Sequence, residues 1–185
     1  ADISAVESKY NGQDIVIQKA LLECERSHIH GKGQSEAADL GLELIGKDIG
    51  PEFEKLAIVV TRAMYESRRF SEAIDLSNKL KKCQGIEAQA EGYHFNGLSE
   101  DFSKNKVRLE LLLKAYDLSV QSKISSLIAM VANSLAGQLS KGDENDRIEA
   151  IKLYHKSLDI KESQDVKDIK GIAMAHGGLG FFYFF

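Results

Sequence analysis

Two places in this chain hold residue types at spacings that chemistry uses. Cys24, His28 and His30 fall within seven residues, and Cys24 and His28 share a helical face. A thiolate and an imidazole so placed can meet at one zinc ion. A structural zinc site needs four ligands, often in paired spacings, and no fourth is in reach. A histidine near a helix C-terminus also complements the helix dipole without any metal. Gly31-Lys32-Gly33-Gln34-Ser35 has the residues of a phosphate-binding loop, but lacks the leading glycine and a preceding strand. His94, His155 and His176 stand alone. There is no nucleophile elbow, glycosidase carboxylate pair or dinucleotide fingerprint, and the acidic residues suit solvated helix faces. No catalytic residue, metal or cofactor is assigned.

Composition narrows the classes further. At 185 residues, with 43% hydrophobic residues and one proline, the chain suits a helical domain with a sizeable core. A net charge of −4 argues against a nucleic-acid surface and a polybasic membrane patch. No apolar run reaches about 18 residues, so no transmembrane helix is expected. Cys24 and Cys83 make no disulfide framework, which favours a reducing, cytoplasmic setting. The first residue is Ala1, so a processed protein or part of a longer chain is expected.

Helical periodicity with turn punctuation divides the chain into nine helices. Asn11-Gly12 reads as a turn. Ile17, Ala20, Leu21 and Cys24 mark the first helix, and Ala37, Ala38, Gly41 and Ile45 the second, with Ser35 as its cap. Gly50-Pro51-Glu52 is a stop and restart. The third helix carries Val60-Thr61-x-x-Met64; the fourth, capped by Ser71, carries Ala73-x-x-x-Ser77-x-x-Leu80. Tyr93, Phe95, Gly97 and Leu98 fall on the fifth. Asn105 caps a sixth with Arg108-x-x-x-Leu112-x-x-Ala115, and the seventh holds Met130, Leu135 and Ala136. Asp146 with Glu149 reads as a capping box for the eighth, which has Ala150, Tyr154 and Ser157 on one face. The ninth ends in Leu179-Gly180-x-x-Tyr183.

The last two patterns resemble the tetratricopeptide repeat (TPR) family, in which a Leu-Gly-x-x-Tyr helix is followed by an Ala-x-x-x-aromatic helix. Thir small residues let two helices approach closely, and the aromatic fills the gap. Thr61, Gly97, Ala136 and Gly180 stand where the small residue would be, separated by 36, 39 and 44 residues. A minimal TPR has a period of about 34. The excess falls in loops, and Asp168-Ile169-Lys170-Gly171-Ile172-Ala173 resembles a segment of longer signalling-type repeats. The resemblance is closest over 105–183.

That resemblance implies an all-α fold, a right-handed α-solenoid of about 4.5 repeats. Its helix pairs would be 13–47, 52–83, 86–119 and 123–160, with an unpaired helix 168–185. It implies a non-catalytic scaffold that binds a protein or peptide segment along the concave face, which the first helix of each pair lines. The inward positions are then Lys55, Ile58, Arg62 and Tyr65; Glu91, His94 and Leu98; Met130, Asn133 and Gly137; and Met174, Gly177 and Phe181. The alternative is a regulatory module of a signalling protein such as a diguanylate cyclase, histidine kinase, NTPase switch or TPR-linked protease. The places that grip a chaperone C-terminus in some TPRs hold Ala20, Cys24 and Ile58 here, so that clamp is not expected. The aromatic end, Phe181 to Phe185, is expected to be covered, in an isolated copy by a homodimer through the C-terminal helix.

Overall fold

The computed structural model describes residues 12–163 and 168–184. Asn11, residues 164–167 of the long loop, and Phe185 lie outside the described residues. Those described are helical with no strand. The helices are α1 (Gly12–His30), α2 (Gln34–Ile45), α3 (Glu54–Glu66), α4 (Phe70–Leu80), α5 (Ile86–Ser99), α6 (Asn105–Ser122), α7 (Ser125–Leu139), α8 (Glu144–Glu162) and α9 (Ile169–Phe184). A short 3₁₀ turn, Pro51–Phe53, precedes α3. They fall into two compact units, Ala1–Phe95 and Asn96–Phe185, which divide within α5.

In the first unit α1 packs on both α2 and α3, and α3 also packs on α2 and α4. Small residues set these approaches. Ala38, Ala57 and Ala73 are fully buried, and a β-carbon on Gly41 of α2 would run into the Val60 side chain of α3. Gly92 of α5 lies against the end of α4, where a β-carbon would stand 2.8 Å from the Lys81 amide nitrogen. Leu56, Val60, Met64 and Leu80 fill the space between, with Cys24 and Cys83 at the edges of the same core. Burying each such aliphatic side chain contributes about 1.5–3 kcal/mol.

In the second unit α7 packs on α6, α8 and α9, and α8 on α9. Ala132, Ala136 and Ala150 lie at the centre, and Ser157 Oγ of α8 donates to the Ala129 carbonyl of α7 at 2.8 Å. Gly97 fits against Leu111 and Leu112 of α6. Arg108, standing where the repeat pattern has a small residue, is buried. It donates to the Glu100 carbonyl at 2.6 Å, and Phe102 covers it with its ring centroid 4.3 Å away. Lys161 of α8 donates to Asp168 at 2.7 Å, and Asp168 accepts the Gly171 amide at 2.9 Å, which fixes the entry to α9.

The helix ends differ from the sequence reading. Gly12 opens α1 instead of ending a turn. Gly33, at φ 77°, precedes α2, and Ser35 lies inside the helix. Its carbonyl accepts from Arg69, which also reaches Asp39 at 2.7 Å and Glu72. Arg69, not Ser71, precedes α4, and Lys104, not Asn105, precedes α6, neither with a side-chain cap. The α8 capping box joins Asp143 and Asp146, three residues before the pair expected from the sequence. An N-cap is set by where the chain enters the helix, so a polar residue one or two positions inside cannot serve.

Candidate functional site

In the first unit, side chains of α1, α3 and the start of α5 form a cluster of charged and aromatic groups. Arg62 on α3 lies 3.8 Å from Glu25 on α1 and 3.9 Å from Glu91 on α5. Glu91 is also 3.4 Å from His94 Nδ1, one turn further on α5. Both Glu91 and His94 are buried. One turn along α3 from Arg62, the Glu66 carboxylate meets His28 Nδ1 of α1 at 2.6 Å. Tyr65 packs beside it, its ring 6.0 Å from Phe95 and 5.8 Å from Phe70. A buried carboxylate is tolerable only when paired. Here Glu91 has one cation and one imidazole, which fixes all three side chains against one another.

Four residues chosen from the sequence, Arg62, Tyr65, Glu91 and His94, are therefore brought together. Three partners were not chosen: Glu25, His28 and Glu66. Glu66 could have been found, because it follows Arg62 by four on α3 and so shares its face. Glu25 and His28 were missed because the sequence register put Ala20 and Cys24 on the open side of α1. Both are in the core instead, at 1% and 2% exposure. Ile58, expected on the open face, is also in the core, and Lys55 alone of its set is exposed.

The possible zinc ligands separate. The Cys24 thiol turns to the Ala37 carbonyl on α2, whereas His28 turns to Glu66 on α3. Burial, with Glu25 and Glu23 adding to it, raises the Cys24 thiol from 9.0 to about 11, so it is not poised as a thiolate. Among the described residues no three His, Cys, Asp or Glu side chains are placed to share a metal ion. The Gly31 to Gly33 segment is a tight connection with both glycines at positive φ.

In the second unit, Leu98 packs against the core. Met130 and Gly137 on α7 are half-buried; Asn133 between them is 9% exposed, its Oδ1 buried without a hydrogen bond among the described residues. On α9, Met174, Gly177 and Phe181 are exposed along one side, and among the described residues no neighbouring element lies within 4 Å of where a β-carbon on Gly177 or Gly180 would be. The close contact expected at Gly180 is made by Gly178, which lies against the Tyr154 ring of α8. Among the described residues no helix is long and apolar enough to cross a membrane. No family model matches the chain, and no curated protein or solved structure compared with it matches either.

Proposed function

We propose that this chain is a TPR-type helical-repeat scaffold that binds a protein or peptide segment and catalyses nothing itself. The observation that carries the reading is the way first helices pack. α1 contacts both its own partner α2 and the next first helix α3, and α7 does the same with α8 and α9. Stacked helical pairs would pack in this way, so these contacts support a face of first helices that takes a ligand. The cluster of Glu25, His28, Arg62, Tyr65, Glu66, Glu91 and His94 supports it, because it lies on that face in the first unit. Lys55 belongs to the proposed surface of the first unit, and Met130, Asn133, Gly137, Met174, Gly177 and Phe181 to that of the second, and the proposal carries with it the solenoid implied by the repeat pattern. A parent signalling protein fits the same reading, with this region as its regulatory module. The test is an Arg62→Glu, Tyr65→Ala double variant with unchanged helicity, compared with the parent in pull-downs. Capture should fall; equal capture of the same partner by both proteins moves the site off this face.

Self-association through α9 belongs to the same proposal. Ile169, Met174, Phe181 and Tyr183 are each more than half exposed there. Sedimentation at rising concentration should show a dimer that Phe181→Glu abolishes; a strict monomer ends this part of the reading.

A further inference from the structure

Arg62 combines burial with unused hydrogen-bonding capacity. Its side chain is 22% exposed, and its two carboxylate neighbours, Glu25 and Glu91, stand at 3.8 and 3.9 Å. Those distances make ion pairs but exceed hydrogen-bond length. The guanidinium therefore makes no hydrogen bond to any described residue, although it has five N–H donors in a rigid fork. Buried Glu91, backed by His94, limits where the fork can turn.

We infer that Arg62 anchors an uncharged acceptor, an amide carbonyl of an internal segment of the partner, and not a carboxylate or phosphate. The inference deepens the interaction reading above and rests on it. Electrostatics separate the ligand classes. Glu25 and Glu91 both stand within 4 Å of a single guanidinium, so an arriving anion meets more negative charge than positive in a partly desolvated place. A cationic side chain would have to approach the guanidinium itself. An amide carbonyl meets neither penalty and accepts from donors already aimed.

The test uses the whole chain on arrays of 12-residue peptides, acetylated and amidated at their ends. One array is composed of neutral polar residues, one contains glutamate and one contains lysine; a fourth repeats the neutral set with free C-terminal carboxylates. The neutral, end-blocked array should capture the protein best. Arg62→Met and Arg62→Lys should each weaken that capture about tenfold or more, with circular dichroism unchanged. The lysine variant keeps the charge and loses the fork, so its loss separates hydrogen bonding from charge. Preference for glutamate, lysine or free-carboxylate peptides overturns the inference and leaves the interaction reading standing. So does neutral capture that either variant leaves unchanged. No capture by any array overturns the interaction reading as well.

Discussion

Gly92 and Gly177 make a paired test of how the helices are held together. Both sit inside helices, so replacing either with alanine brings the same intrinsic gain, about 1 kcal/mol of helix propensity. Their surroundings differ. At Gly92 a β-carbon would be 2.8 Å from the Lys81 nitrogen and 2.9 Å from both the Leu80 Cβ and the Ser77 carbonyl oxygen. Two of those three atoms are main chain and cannot rotate away, so α4 and α5 must separate. Overpacking of this kind costs about 1–3 kcal/mol, which exceeds the propensity gain over most of its range. At Gly177 no neighbouring element lies within 4 Å among the described residues. Gly92→Ala should therefore lose up to about 2 kcal/mol, while Gly177→Ala gains up to about 1 kcal/mol. Urea unfolding followed by far-ultraviolet circular dichroism measures both, with an unchanged slope required for the comparison. A Gly92→Ala protein as stable as the parent would refute the close approach of α5 to α4. If both variants shift the same way, local propensity outweighs the packing argument.

Ala150→Leu is expected to destabilise by about 1–3 kcal/mol, because Ala150 is fully buried among Ala132, Leu135 and Tyr154; a variant melting with the parent would put Ala150 outside the α7–α8 contact. The Cys24 thiol should resist alkylation in the native chain at about pH 8 and react only after unfolding; rapid native labelling contradicts its burial. Its raised pKa also sets a pH window. The unfolded thiol ionises near 9.0 and the folded one near 11, so Cys24's contribution is complete below pH 9 and lost as pH rises through about 11. Cys24→Ser should flatten that alkaline fall in urea midpoint; an unchanged profile refutes the link.

Much of the helical layout was legible in the sequence. Apolar residues at threes and fours placed every described helix within a few residues, because a helix buries one stripe and the stripe repeats with its turn. The small residues Thr61, Gly97 and Ala136 were also legible as contact positions, and all three are buried. Gly180 was not separable from Gly178 by pattern, since two glycines two residues apart face different directions and only the position of Tyr154 decides between them. Helix caps misled for a similar reason. Ser35, Ser71 and Asn105 are good capping types, but the last residue outside each helix is Gly33, Arg69 or Lys104.

For the candidate site, the sequence determined that Arg62, Tyr65, Glu91 and His94 lie on the same side of their own helices. It could not determine what each faces. Glu25 is 37 residues from Arg62, and Glu91 is 29 residues from it; no local spacing rule links helices that far apart. The rotation of α1 about its axis settled the matter, burying Ala20 and Cys24 and turning Glu25 and His28 toward α3. That rotation follows from the summed packing of α1 against α2 and α3 together. Periodicity fixes which residues share a face; only tertiary packing decides which face is turned to which neighbour.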